Sequence, residues 1–139
     1  MRCAIGIWVV ISCICTGCGD DRVPVTKVSG HVTYQGKPLP FGTVIFMPRG
    51  KGADVPRGKI QPDGSFELGT YTENDGSPLG EFDVRIVCNN KQDPAKPLTP
   101  ESEQEPIISL IPRKYSVPGQ SGIVITVREK MEPLKIDLW

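Results

Sequence analysis

The residues best equipped for covalent chemistry are five cysteines, Cys3, Cys13, Cys15, Cys18 and Cys88, and one histidine, His31. His31 sits in the alternating run Val28 to Tyr34 on the side opposite the apolar residues, so it is expected at the surface. A lone imidazole with no Ser or Cys partner has no nucleophile to activate. Asp54, Asp63, Asp75 and Asp83 lack the dense spacing of a calcium loop, and Asp63 and Asp75 each precede a turn glycine. Lys51-Gly52 lacks the glycines and the Ser/Thr of a phosphate loop. Cys88 falls on the apolar face of its segment, with nothing adjacent in sequence to lower its pKa, and reads as a small buried hydrophobe. No catalytic, cofactor-binding or metal-ligating set emerges, and a hydrolase is the remotest of the functions considered.

Cys18 is different. It closes the run Ile14-Cys15-Thr16-Gly17-Cys18, which resembles a bacterial lipobox, with Thr16 and Gly17 as the small residues at the cleavage site and Cys15 where Leu is usual. The resemblance implies lipidation of Cys18. The preceding stretch fits: Arg2 is a minimal positive region, and Cys3 to Cys15 is almost wholly apolar but too short for a membrane span, which needs roughly 20 residues. The expected organisation is a signal peptide over 1–17, a short lipidated tether over 18–25 and one domain over 26–139. Gly19, rather than Asp, follows the acceptor and points away from inner-membrane retention. The expected location is the cell envelope, with the outer membrane or periplasmic face favoured.

Cleavage and lipidation would leave Cys88 as the one free thiol, which rules out an internal disulfide or a cysteine zinc site in the mature domain. Lys+Arg 16 and Asp+Glu 16 balance, and no basic stripe exists, so nucleic acid is excluded as a partner. Gly 15 and Pro 14 are high for 139 residues and imply many turns.

The elements that must position any site read as strands. Period-two alternation or short apolar runs predict strands over Val28–Tyr34, Thr43–Met47, Arg57–Gln61, Ser65–Thr70, Glu81–Cys88, Gly122–Arg128 and Leu134–Leu138. Gln35-Gly36 and Pro62-Asp63-Gly64 are turns. Gly30, mid-strand, marks a bulge or a close approach between sheets. Residues 89–120 interrupt the pattern with six prolines and an acidic cluster at Glu101, Glu103 and Glu105, although Ile107–Ile111 is apolar enough to dock as an edge segment. About seven strands with no helix predict an all-β antiparallel sandwich, with an open barrel as the alternative. Phe46, Phe66, Phe82, Ile86, Ile125 and Ile136 are the expected core, and Trp139 reads as a core plug or an interface anchor.

Val28-Ser-Gly-His-Val-Thr-Tyr34, Gly36-Lys37-Pro38-Leu39 and Gly42-Thr-Val-Ile-Phe46 resemble the first half of carboxypeptidase regulatory-like, transthyretin-like domains. Asp63-Gly64-Ser65-Phe66 and Gly80-Glu81-Phe82-Asp83-Val84 look like that family's later turn-and-strand pairs. The resemblance covers most of 26–90 and implies a prealbumin-like sandwich of the kind found on small bacterial surface lipoproteins. The hydrolase among transthyretin relatives uses several histidines and a C-terminal Tyr-Arg-Gly-Ser. This chain has one histidine and ends Ile136-Asp137-Leu138-Trp139. The expected function is therefore a non-catalytic module that presents loops to an envelope protein, anchored to a membrane through its N-terminal lipid. A carbohydrate-binding module is the alternative, which would require aromatics gathered on one exposed face. The surface aromatics available for that are Tyr71, Tyr115 and Trp139.

Overall fold

A computed structural model describes residue 19 and residues 21–139; the expected signal peptide and Cys18 lie outside the described residues. Among the described residues ten strands follow one another: β1 (Val25–Thr26), β2 (Ser29–Tyr34), β3 (Lys37–Pro38), β4 (Thr43–Pro48), β5 (Arg57–Lys59), β6 (Ser65–Glu67), β7 (Ser77–Pro78), β8 (Gly80–Val87), β9 (Val124–Val127) and β10 (Leu134–Leu138). A short helix α1 (Pro100–Gln104) and a 3-10 turn over Arg113–Tyr115 lie between β8 and β9.

The first sheet is built on β2. Its alternation buries Val28, Gly30 and Val32 while His31 stays exposed. β10 pairs with one edge of β2, and β6 and β3 share the other. Gln35 and Gly36 both take positive φ, 52° and 78°, the mirror-image turn that suits a two-residue hairpin. Gly30 is crowded from within its own sheet and not by the second one: a Cβ there would lie 2.6 Å from the carbonyl oxygen of Leu134 in β10 and 2.9 Å from the ring of Phe66 in β6, its two cross-strand partners. The second sheet runs β5-β4-β8-β9, all antiparallel. Phe46 of β4 and Phe82 of β8 meet inside it with ring centroids 5.7 Å apart.

The two sheets join at the β5–β6 hairpin, where Arg57 and Gly69 exchange backbone hydrogen bonds of 3.0 and 2.9 Å. On the opposite side β9 and β10 do not pair, leaving a cleft of about 400 Å³ between residues 122–124 and 135–137. The result is an all-β sandwich, closed along one side and open along the other.

Several expectations need correction. The strands are more numerous and shorter than seven, because β1, β3 and β7 are two-residue pairings that carry no readable period. Two segments stop early: the chain leaves β5 at Lys59 and β6 at Glu67 to form corners. The sheet is not wholly antiparallel, since β10 crosses from the second sheet and lies parallel to β2, Leu134 opposite Gly30 through Leu138 opposite Tyr34. A helix exists: the Thr99 side chain accepts from the Ser102 N–H while Ser102 Oγ accepts from the Thr99 N–H, and Pro100 opens the first turn. Phe46, Phe66, Phe82, Ile86 and Ile136 are buried, but Ile125 is half-buried because β9 is an edge strand. Trp139 is 72% exposed and plugs nothing; its backbone N–H instead donates to the Tyr115 hydroxyl, whose ring is buried. Tyr115 is thus core rather than surface.

Candidate ligand-binding groove

The β5–β6 hairpin supplies a floor and two rows of polar side chains. In β5, Gly58 faces inward beneath the Glu67 carbonyl, so Arg57 and Lys59 must point outward. In β6, Phe66 is buried and Glu67 exposed, and His31 of β2 lies opposite Ser65. These residues line a groove of about 1230 Å³. That is more than the usual few hundred to one thousand Å³ of a small-molecule site, and it suits an extended ligand.

One wall is the loop 69–76, and Asp75 organises it. Its carboxylate accepts the backbone N–H groups of Thr70 (2.6 Å), Tyr71 (3.1 Å) and Thr72 (3.0 Å). Burial alone would raise its pKa, but these N–H donors outweigh that and hold it below the usual carboxylate value. The loop thereby fixes Tyr71, whose hydroxyl donates to Asp54 Oδ2 (2.8 Å) and accepts the Val23 N–H (2.9 Å). The Arg22 guanidinium sits 5.4 Å from the Tyr71 ring centroid. Burial first, then the bond to Asp54, pushes the phenol pKa up, so it remains a neutral donor. The segment Arg22-Val23 is in this way clasped to the groove wall.

The other wall is 91–98, the first part of the Pro-rich stretch. Gln92 pins it, donating from Nε2 to Thr43 Oγ1 (3.0 Å) and accepting the Asn89 N–H at Oε1 (3.1 Å). The Lys91 ammonium bonds the Ser102 carbonyl of α1, and the Lys96 N–H closes a turn onto the Asp93 carbonyl (3.1 Å). This long loop is therefore ordered by its own polar side chains. Farther on, Ile107–Ile111 docks as an edge segment, with Asn89 bridging to Ser109 and Ile111 buried.

Electrostatically the groove is mixed. Arg57, Lys59 and Lys96 have no side-chain partner among the described residues, and Glu67 and Glu73 also line the site. Its aromatic content is small: Phe41 and Tyr71 are half-buried, and one Tyr71 face is taken by Arg22. The aromatics do not gather on one exposed face.

The singled-out residues scatter through this frame. His31 is on the rim, exposed and without a described hydrogen-bond partner. Cys88 is buried, and burial, then the nearby Asp93 charge, raises its pKa. Asp63 accepts from the Ser65 N–H and hydroxyl within its turn. Asp83 pairs with Arg49, whose guanidinium also reaches Glu81 at 2.6 Å and so latches the start of the 48–56 loop to β8. Among the described residues no three His, Cys, Asp or Glu side chains lie close enough together to hold a metal ion. The Asp54–Tyr71–Val23 clasp has no local sequence signal, since its members are spread over 48 positions; Asp75 before Gly76 is the nearest one. No protein-family model matches this chain, and neither a curated protein nor a solved structure matches it.

Proposed function

We propose that this chain is a non-catalytic envelope lipoprotein, lipidated at Cys18, whose transthyretin-like sandwich binds an extended envelope ligand in the groove over β5 and β6. The groove itself carries the reading. It is walled by two side-chain-ordered loops and rimmed by polar groups that lack partners among the described residues, and rigidly presented loops are where binding usually resides. The rim's mix of Arg57, Lys59, Lys96, Glu67 and Glu73 suits a protein segment better than an apolar small molecule. Ser65 is the cross-strand neighbour of His31, but its hydroxyl donates to Asp63 and not to the imidazole, so the pair is not arranged as a nucleophile and its general base.

The test is capture from the native envelope with the full-length chain and with the double variant Arg57→Glu, Lys59→Glu. Both side chains are exposed, so the melting temperature should stay within a few degrees of the parent. The captured protein should disappear with the double variant. Unchanged capture would place binding elsewhere, with the 48–56 loop next. Retention of envelope polysaccharide in place of a protein would favour the carbohydrate-binding alternative.

A further inference from the structure

Strand β10 is bonded along one edge. Its parallel partner is β2, and the Gln35 N–H donates to the Leu138 carbonyl (3.0 Å). That bond turns the backbone groups of Leu138, and by strand parity those of Ile136 and Leu134, toward β2. The N–H and C=O of Lys135, Asp137 and Trp139 therefore point the other way. Those of Trp139 are taken: its N–H donates to the Tyr115 hydroxyl (3.0 Å), which donates in turn to the Trp139 carbonyl (3.3 Å). Those of Lys135 and Asp137 meet no described residue, because β9 across the cleft does not pair with β10. The edge runs in unbroken register over Leu134–Leu138, with no proline and no inward charge to blunt it: Ile136 and Leu138 are buried, Lys135 and Asp137 exposed. Such an edge is a template for another strand.

Charge selects the strand and its direction. The two open residues carry opposite charges and flank Ile136. Set antiparallel to its own copy, this segment places each lysine opposite an aspartate, whereas an in-register parallel copy would bring like charges together. The exposed residues of β9, Val124 and Thr126, carry no such charge code. We infer that β10 pairs antiparallel with β10 of a second copy of this chain, across a two-fold axis at Ile136. Lys135 then faces Asp137 of the second copy on one side of the axis, and Asp137 faces Lys135 of the second copy on the other. Each of these pairs exchanges two backbone hydrogen bonds and forms an ion pair on the outer face. The Asp137 carboxylate is already posed: Thr33 Oγ1 donates to its Oδ1 (2.5 Å), and its Oδ2 has no partner among the described residues. Nor has the Lys135 ammonium an ion-pair partner among them. The ladder limits itself. Trp139 would come opposite Pro133 of the second copy, but the Trp139 backbone is satisfied by Tyr115 and a proline has no N–H to give. The pairing consumes the free edge of β10 in both copies and closes as a dimer.

Two variants of the full-length chain, Lys135→Cys and Asp137→Cys, carry different tags and are expressed together in the native envelope. Opposed residues of a hydrogen-bonded pair have Cα atoms about 5.5 Å apart, within reach of a disulfide. Mild oxidation should give a species of twice the chain mass that carries both tags, while the other Lys135–Asp137 pair of that dimer stays intact. Either variant alone should not cross-link, because its cysteine lies diagonal to its copy at roughly 7–8 Å, beyond disulfide geometry. Asp137→Cys mixed with Lys51→Cys, on an exposed loop, sets the background. In chains without added cysteine, co-capture of one tag by the other should be lost with Lys135→Asp and regained when Asp137→Lys is added. Both side chains are exposed, so melting temperatures should stay close to the parent's. A mixed cross-link no stronger than background would overturn the inference. So would cross-linking of a single variant as strong as the mixture's, co-capture that survives Lys135→Asp, or a charge exchange that fails to restore it.

Discussion

Asp75 shows how much one carboxylate can organise. Three backbone N–H groups converge on it, and without it they would point at nothing. Its pKa is lowered in the folded state, so its contribution is fully present above the ordinary carboxylate value near 3.9 and is lost as pH falls through the lower folded value. Asp63 and Asp83 shift in the same direction, through Ser65 and Arg49 respectively, but both are solvent-screened. Asp75→Asn should therefore flatten the loss of stability below about pH 4 while lowering stability at pH 7. Urea midpoints from pH 7 down to pH 2.5 measure both, and an acid limb unchanged by the substitution would remove Asp75 from this role. In the core, Phe82 is buried against Phe46, and Phe82→Ala should cost about 3–5 kcal/mol. A loss under about 1 kcal/mol in denaturant unfolding would contradict that packing. Cys18→Ala should abolish uptake of a fatty-acid analogue, because the lipobox resemblance puts this thiol alone at the cleavage site; label retained by the variant would refute the lipidation reading.

At the scale of elements, the segment 91–106 is ordered but contributes no fully buried residue. Replacing it with a short Gly/Ser link should leave the melting temperature nearly unchanged, since closure entropy varies slowly with loop length. The same replacement removes one groove wall and should abolish capture of the partner. A melt lowered by tens of degrees would show that Gln92 and Lys91 brace the sandwich itself. The elements legible in the sequence were those whose signal is local. The alternation of Val28 to Val32 and of Phe82 to Cys88 sets burial by period two, and the burial pattern follows it over those residues, fading at Thr33 and Tyr34, which are both half-buried. β1, β3 and β7 are too short to have a period. α1 was written in Thr99-Pro100-Glu101-Ser102, a cap followed by a helix-opening proline, but the surrounding prolines read as loop. The parallel pairing of β10 with β2 depends on where the chain crosses between sheets, which alternation within β10 does not encode. The groove was illegible for the same reason: His31, Lys59, Tyr71 and Lys96 converge only through the β5–β6 corner and the two loops beside it.

For the whole molecule, the clasp at Tyr71 would set how the domain stands relative to the lipid anchor proposed at Cys18. Val23 follows Cys18 by five positions, and an extended chain covers at most about 3.6 Å per residue, so under the proposed lipidation Val23 lies within about 18 Å of the lipid-bearing residue. A free tether would let the domain tumble about that point, whereas a clasped one holds the groove at a fixed side. The Val23 N–H bond helps to fasten it, beside the Arg22 contact with the Tyr71 ring, and Val23 follows Arg22, a trypsin site. Cleavage there requires the tether to leave Tyr71 and extend into the protease, so its rate reports the clasp opening. One such hydrogen bond contributes about 0.5–1.5 kcal/mol. Tyr71→Phe removes it while keeping the ring under Arg22, and should speed cutting after Arg22 roughly two- to tenfold in limited proteolysis of the membrane-bound chain. Asp54→Ala leaves the Tyr71 hydroxyl free to keep accepting from Val23 and should have a smaller effect. Equal cleavage rates for the parent and Tyr71→Phe would mean that the segment is already loose, and the orientation of the groove would then have to come from the ligand.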